Sequence, residues 1–372
     1  NMESQVGAKV DQSVLGQADN QFGDIQVTAQ NDISHAYKNV AADISSLLGV
    51  AVGKGAINVN TGTSATVSHS QMYGGNITIG ADEKRNINAN MVGLGVGAAN
   101  VGVNVMYTNV GTSLKDGYDY DRSGEGERAS YDTKELQNYV NEALSRMNQQ
   151  AEKAKTYDSS IEKGSTTINK GDASKAGLTT AVSNSTLMAD DELDIHAKAT
   201  TNTNVFIHQA GVGIANVAVA ANRMDVEDKL HVSMTDAVLS GNQVQIRSIT
   251  DGLLESYTGQ GGFSGATYAD TTGYVKHGGT NTISVDDSTI TSAGHPLWLQ
   301  ALNQAKIDNT SMNINLAGVD AGRMVLDSED SSEVAVQLGE KSKKRNTLNA
   351  SSIDVEVKNA PGVKSESKAN VT

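Results

Sequence analysis

The sequence predicts an all-β fold, a β-solenoid of stacked short strands that is interrupted by a helical insertion. Three observations lead to this prediction. Large side chains are scarce, an alternating pattern recurs about every 52 residues, and one internal segment breaks that pattern. We therefore divide the chain into β-solenoid coils over 1–111, an insert over 112–175, and coils of the same domain over 176–372.

The composition favours many short strands over a thin core. Aromatic residues make up 4% of the 372 residues, while glycine occurs 37 times. Few large side chains are available to fill a thick core. Valine, isoleucine and small polar residues suit pleated, half-buried surfaces bounded by turns.

Equivalent strands recur at a regular spacing. Val27 and Ile79 stand 52 residues apart, and Ile195, Ile246 and Leu299 are separated by 51 and 53 residues. Around each position apolar and polar residues alternate, which is the pattern of a half-buried strand. Stacked units of this kind cover each other's apolar rows. Because a coil usually takes roughly 20–30 residues, we expect two coils per period, with one wide coil as the alternative.

A glycine-rich element gives the same register independently. Gly95–Val103 matches Gly211–Val219 at an offset of 116 residues, which is one period plus about 64 extra residues. We expect the equivalent Asn100 and Asn216 to stack as an amide ladder. A related element over 53–59 lies 42 residues before the first copy, which predicts an irregular first unit.

The insert contains a predicted amphipathic helix over about 133–155. Asp132 and Glu135 fit an N-cap and a capping-box glutamate. The apolar residues that follow have helical spacing. They are Leu136, Tyr139, Val140, Ala143, Leu144, Met147, Ala151 and Ala154.

The apolar stripe of this helix has two interpretations. In one, it packs on the solenoid flank or on another helix of the insert, because an exposed stripe of this size invites aggregation. In the other, the insert is a partner-contacting surface. The candidate partner-binding residues are then Leu136, Tyr139, Val140, Leu144 and Met147.

An acidic run before the helix is a candidate calcium site. Its candidate ligands are Asp119, Asp121, Ser123 and Glu125. The run copies the first half of an EF-hand-type loop, but Ser130 stands where a bidentate glutamate is needed. Glu125 or Glu127 would have to replace it in a non-standard site. We therefore expect a solvated acidic loop that holds no cofactor, with calcium binding as the alternative.

The histidines do not form a zinc motif. The chain has seven histidines and no cysteine, and no histidine pair has the spacing of a helical metal site. We expect His196 and His208, which lie on predicted strands, to face solvent rather than to bind a ligand.

An enzyme is the runner-up function. Some β-helices are polysaccharide lyases or hydrolases, and Asp286, Asp287 and Asp308 are candidate carboxylates for such chemistry. Substrate grooves of that kind are commonly lined with aromatic residues, which this chain has in small number. We therefore expect no enzymatic activity.

Charge and hydropathy restrict the partners. A net charge of −14 disfavours nucleic acid and anionic lipid. No apolar run approaches membrane-spanning length, so we expect no membrane insertion by this segment. The lack of cysteine suits export of an unfolded chain, in which a premature disulfide would block passage.

The repeated glycine-rich element and the Val-Ser strands that accompany it carry a family resemblance. Gly95–Val103 with Val67–Ser70, and Gly211–Val219 with Val232–Ser233, resemble the large repeats of filamentous haemagglutinin-like adhesins, especially the fusobacterial leukotoxin type. The resemblance covers about 250 residues, outside the insert and the last unit. It implies a right-handed parallel β-helix in the passenger of a type V secreted exoprotein, displayed at the bacterial cell surface or secreted. The implied partner is a host or bacterial cell-surface receptor, either a protein or a glycan. A trimeric fibre is a further alternative.

Overall fold

The computed structural model describes residues 1–18, 23–46, 48–113, 172–339 and 345–371. These residues form strands and their connections without a helix, which confirms the all-β class. The predicted helix over 133–155 lies outside the described residues, so the helical insertion and its boundaries at 112 and 175 stay predictions.

The described residues contain nineteen strands, which vary from two to 44 residues in length. They are β1 Met2–Asp11, β2 Val14–Leu15, β3 Ile25–Ile44, β4 Leu48–Ser68, β5 Gln71–Gly74, β6 Ile77–Val96, β7 Ala99–Val110, β8 Gly177–Ser183, β9 Thr186–Ala189, β10 Glu192–Thr235, β11 Val238–Gly241, β12 Gln243–Asp286, β13 Thr289–Ser292, β14 Leu297–Asn303, β15 Lys306–Asp330, β16 Glu333–Leu338, β17 Thr347–Ala350, β18 Ile353–Asn359 and β19 Gly362–Val371.

The strands form two parallel sheets. Thirteen strands belong to the larger sheet, whose main path runs β1-β4-β7-β10-β12-β14-β18. The smaller sheet has six short strands in the order β17-β13-β11-β9-β5-β2. In both sheets each strand pairs with strands of neighbouring repeats, so the repeat in the sequence is also the repeat of the hydrogen bonding.

The register confirms the equivalences expected from the sequence. Val27 pairs with Ile79, Ile79 with Ile195, Ile195 with Ile246, and Ile246 with Leu299. Partners therefore stand one whole period apart, and the expectation of two coils per period is wrong. Among the described strands none pairs at half that offset. The longest strands, β10 and β12, each extend over most of a period and pair with each other along nearly their whole length.

The long strands bend back on themselves. The beginning of β10, at Ile195, and its end, at Val232, belong to the same apolar cluster. We call the segments before the bend the outgoing layer and those after it the return layer. The outgoing layer consists of β3, β6, 192–213, 243–264 and 306–317, and the return layer of β4, β7, 215–235, 266–286 and 319–330.

The interior between the two layers holds two separate apolar clusters. The first lies beside the smaller sheet and includes Ile195, Val232 and Leu239. The second lies farther along the layers and includes Ile207 and Met224. Polar and charged side chains, among them Glu83 and Arg85, occupy the interior between them.

Glycines and asparagines bring the two layers together near the bend. Asn100 donates a hydrogen bond from Nδ2 to Oδ1 of Asn216 at 2.7 Å, which confirms the expected amide ladder. A Cβ added to Gly211 would collide with the side chains of both asparagines. The repeated glycine-rich element is therefore explained by close packing of the layers.

The first unit is regular, contrary to expectation. Gly53 pairs with Asn104 and Val59 with Val110, at the same offset of 51 residues as Asn58 and Asn109. The match of 53–59 to Gly95–Val103 is wrong. Small and apolar residues alternate so uniformly along the chain that the glycines of one segment can be matched to those of another at several different offsets.

We predict that Gly279→Ala lowers the free energy of unfolding by about 1–3 kcal/mol. Gly279 has a φ of 114°, and an added Cβ would meet the backbone carbonyl of Asp228. The measurement is urea unfolding followed by circular dichroism. Gly261→Ala is the control, because its added Cβ would have only an ordinary contact, 3.7 Å from the Ile314 carbonyl oxygen. Equal losses in both variants would contradict the assignment.

Candidate functional site

A charged layer lies in the interior between the two apolar clusters. It consists of Glu83, Arg85, Asp228, His277 and Asp330. Because side chains alternate along a strand, Glu83 and Arg85 point inward on β6 in line with the core residues before and after them. The Arg85 side chain is 1% exposed and that of Glu83 is fully buried.

Arg85 is the centre of this layer. Its Nε donates to Glu83 at 2.8 Å, and its Nη1 donates to Asp228 at 2.5 Å and to Thr201 at 3.1 Å. Thr61 also donates to Glu83. A buried ion pair is tolerated when further hydrogen bonds satisfy its remaining atoms, and this arrangement supplies them.

His277 extends the layer to the neighbouring repeats. Its Nδ1 lies 2.6 Å from Asp330 and its Nε2 lies 3.2 Å from Asp228. Burial by itself lowers the pKa of His277, but the hydrogen bonds to Asp228 and Asp330 outweigh it and raise the pKa to about 9. Burial opposes ionisation of Asp228 and Asp330 as well, yet the bonds from His277 lower the pKa of each carboxyl.

The layer connects four strands that are far apart in the chain. Arg85 is on β6, Asp228 on β10, His277 on β12 and Asp330 on β15. It also joins the outgoing layer, through Arg85, to the return layer, through Asp228. Its charges are buried and paired, so it orients repeats and layers rather than offering a site to a ligand.

A second charged group lies on the outer face of the outgoing layer. His196 Nδ1 is 2.8 Å from Asp194, and its Nε2 is 3.4 Å from Asp82. Arg247 donates to Asp194 at 2.8 Å. Burial opposes the charge of His196, but these carboxylates raise its pKa to about 9.

The structure places the two predicted solvent-facing histidines on the outward side of β10. His196 is more enclosed than expected, since its side chain is only 16% exposed and pairs with two carboxylates. His208 is half-buried beside Phe206, at 6.1 Å between ring centroids, and burial lowers its pKa. The sequence did not reveal these partners because they come from other repeats or from alternate positions on the strand.

An exposed apolar column follows the outer face of the outgoing layer. We call it the outer stripe, and the hydrogen-bonding register aligns its members directly from strand to strand. They are Ile44, Val96, Val212, Phe263 and Leu316.

The outer stripe is open to solvent, and an aromatic pair lies six residues away along the same face. Ile44 is 75% exposed, Phe263 65% and Leu316 48%. On the same face the rings of Phe206 and Tyr257 stack at 4.8 Å between centroids. A contiguous apolar patch on a surface marks an interaction site more often than scattered single residues do.

The site residues predicted within the insert are not described. The candidate calcium ligands Asp119, Asp121, Ser123 and Glu125 lie outside the described residues, and so do Leu136, Tyr139, Val140, Leu144 and Met147. Within the described ranges there is no group of three or more histidine, aspartate or glutamate side chains arranged to hold a metal ion.

Among the described residues, no contact joins the three candidate carboxylates of the enzyme alternative. Asp286 ends β12, and Asp287 follows it at a corner with a φ of 52°. Asp308 lies on β15 in the next repeat, where Lys364 approaches it at 3.3 Å. Polysaccharide cleavage stays the alternative function that the sequence offers, beside the expectation of no enzymatic activity.

Comparison with protein-family models, with curated proteins and with solved structures finds no match to this chain. Among the described residues no helix has the length and apolar character needed to cross a membrane. The charged layer and the outer stripe are therefore interpreted from their own geometry.

The charged layer was missed in the sequence although a signal was present. Glu83 and Arg85 continue the odd-numbered row of Ile77, Ile79 and Ala81, which strict alternation places in the core. Charged residues in an inward row indicate a buried ionic network. The partners Asp228 and His277 could not be found in this way, because the bend of each long strand decides which residues face Arg85.

We predict that Arg85→Met lowers the free energy of unfolding by about 3–5 kcal/mol. The substitution leaves Glu83 and Asp228 buried without their guanidinium partner. Urea unfolding measures the loss. Lys84→Met is the matched control, because Lys84 is the exposed neighbour on the same strand. A loss below about 1 kcal/mol for Arg85→Met would contradict a stabilising ionic layer.

We predict that His277→Gln weakens the pH dependence of stability between pH 6.5 and 9. The pKa of His277 is raised from 6.5 to about 9 in the folded protein. Its contribution is therefore complete below pH 6.5 and is lost as pH rises through 9, a change of about 3 kcal/mol. The pH series of unfolding free energies tests this, with the exposed His295→Gln as control. An unchanged slope in His277→Gln would refute the assignment.

Proposed function

We propose that this chain is a segment of a bacterial surface-exposed or secreted adhesin, in which a right-handed parallel β-helix (β-solenoid) acts as an elongated scaffold. Three features support the proposal. Each repeat adds parallel strands in register with the previous repeat. The glycine-rich elements resemble those of filamentous haemagglutinin-like adhesins. Stacking identical units extends such a scaffold without a new core for each one.

The observation that carries the recognition part of the proposal is the outer stripe. Its apolar members are aligned across successive strands and stay open to solvent, as Phe263 does at 65% exposure. A groove or surface of this kind stabilises a complex by burying apolar area, at roughly 25 cal/mol per Å².

The partner that fits this surface is a protein receptor on a host or neighbouring cell. An aligned row of apolar side chains offers apolar area and few hydrogen-bonding groups, which favours a protein over a glycan. The stacked Phe206 and Tyr257 lie on the same face and add aromatic area. The net charge of −14 favours a partner with a basic surface.

The insert stays a predicted second recognition element. Its candidate partner-binding residues lie outside the described residues, so a separate variant is needed to test it. A calcium ion at Asp119, Asp121, Ser123 and Glu125 likewise stays a prediction, and so does the trimeric-fibre alternative.

We predict that the purified chain binds at least one member of a panel of host cells, matrix proteins and glycans. We also predict that the double substitution Phe263→Ser/Leu316→Ser weakens this binding at least about tenfold, equal to about 1.4 kcal/mol. Both side chains lie on the outer stripe and point to solvent, so the fold is expected to be retained. Surface plasmon resonance or flow cytometry gives the affinity.

Val238→Ser is the matched control, because Val238 is a 42% exposed apolar residue of the smaller sheet. A further variant replaces residues 112–170 with a short Gly/Ser link. If the control and the double variant lose affinity equally, the outer stripe is not the recognition surface. If only the link variant loses affinity, recognition lies in the insert. If the chain binds nothing at micromolar concentration, the receptor proposal fails and the segment is a stalk.

A further inference from the structure

The two sheets have unpaired edges at both ends of the stack. At the first end β1, β2 and β3 each pair with a single strand, and at the last end β16, β17, β18 and β19 do the same. Among the described strands nothing pairs with their outer edges. The backbone N–H and C=O groups along such an edge are a template for a further strand.

The two ends present opposite halves of a repeat. β1 pairs with β4 and therefore extends the return layer at the first end. β18 and β19 pair with β14 and β15 and therefore extend the outgoing layer at the last end. In the part of the chain that the structure describes, no return strand follows β19. The half of a repeat that the last end lacks is thus the half that the first end presents.

The last outgoing strand leaves an apolar row uncovered. Val355 lies in the same inward column as Leu299, yet Val355 is 45% exposed and Leu299 is fully buried. Val357 is likewise 49% exposed, beside the fully buried Ala301. In the preceding repeats the return layer covers this row. A further return strand would therefore remove apolar area from water.

The existing register shows that the first end fits onto the last. Through successive strand pairs Val6 is equivalent to Val334. A second copy that continues the stack would therefore place its β1 beside β16, its β2 beside β17 and its β3 beside β18 and β19. One placement aligns all of these strands at once. The apolar pairs that it forms include Val336 with Ala8, Leu348 with Leu15 and Val355 with Val27.

The polar and charged positions agree with the same placement. Asn303 donates from Nδ2 to Oδ1 of Asn359 at 2.8 Å, and Asn31 of the second copy would continue this amide column. Lys38 of the second copy would stand beside Glu366, where opposite charges attract. Along the matched strands no like charges stand directly opposite each other. The edges are therefore compatible in charge as well as in shape.

We propose that this chain associates with a second copy of itself head to tail, with β16, β17, β18 and β19 of one copy paired in parallel with β1, β2 and β3 of the next. Different surfaces of the two copies meet, so each complex keeps one free edge at each end and further copies can add. The product is a filament held by backbone hydrogen bonds and by closure of the apolar columns. Receptor binding by the outer stripe plays no part in this inference.

Sedimentation velocity over a range of micromolar concentrations tests the proposal on the purified chain. We expect the average mass to rise with concentration, and Val355→Asp/Val357→Asp to weaken the association at least about tenfold, equal to about 1.4 kcal/mol. Val212→Asp is the matched control, because Val212 is similarly exposed, at 41%, but lies on the outer stripe between paired strands. A wild-type chain that stays monomeric, or equal weakening in both variants, would overturn the proposal.

Mixing complementary variants distinguishes a head-to-tail contact from a symmetric one. Val355→Asp/Val357→Asp blocks the last edge and Val6→Asp/Leu15→Asp blocks the first, so each variant alone should stay monomeric. The mixture still offers one intact edge of each kind, and we expect one-to-one dimers that grow no further. Dimers of either variant alone would show a symmetric contact and contradict the proposal. A mixture that stays monomeric while the wild type assembles would contradict it as well.

Cysteine cross-linking keeps the test decisive if an aspartate variant does not fold. The chain has no cysteine, and the register places Ala335 of one copy beside Gly7 of the next. Neighbouring strands lie close enough for a disulfide. We expect Ala335→Cys mixed with Gly7→Cys to form linked dimers at least about tenfold faster than Phe263→Cys mixed with Gly7→Cys, because association raises the effective concentration of the thiols. Equal rates in the two mixtures would overturn the proposal.

Discussion

The parallel register at one full period is the constraint on which the rest of the structure depends. Every residue stands above its equivalent in the next repeat, as Ile79 does above Ile195. A side chain that faces inward in one repeat therefore lies in a column with the equivalent side chains of the other repeats. Apolar columns form the two clusters, amide columns such as Asn100 and Asn216 bond along the stack, and an apolar column on the outside becomes a continuous stripe.

The charged layer is the exception to these uniform columns. Arg85 stands where neighbouring repeats have Ile33 and Thr201. It bonds to Thr201 in its own column, but its charge is paired with Glu83 on its own strand and with Asp228 of the facing layer. Buried ionic groups contribute little net stability compared with apolar packing. Removing one member is costly, however, because its partners stay buried. The charged layer therefore specifies one arrangement of the two layers, since only one position of the bend brings Arg85, Asp228 and His277 together.

The outer faces of the outgoing and return layers differ in solvent exposure, although both carry aligned apolar residues. The outgoing layer exposes Phe263 and Leu316, while the return layer buries Val217 and Val219. On the described layers, the outer stripe is therefore the aligned apolar column that stays accessible to solvent.

The sequence by itself determined the period, the equivalent positions and the all-β class, because alternation and repeat spacing are local properties of the chain. It even marked Glu83 and Arg85 as inward, through the parity of their positions. Only the tertiary structure decided that strands pair one whole period apart and that the first unit is regular. It alone paired Arg85 with Asp228, 143 residues away. The physical reason is that uniform alternation specifies which side of a strand a residue faces but not where the strand bends, and the bend determines which residues meet across the core.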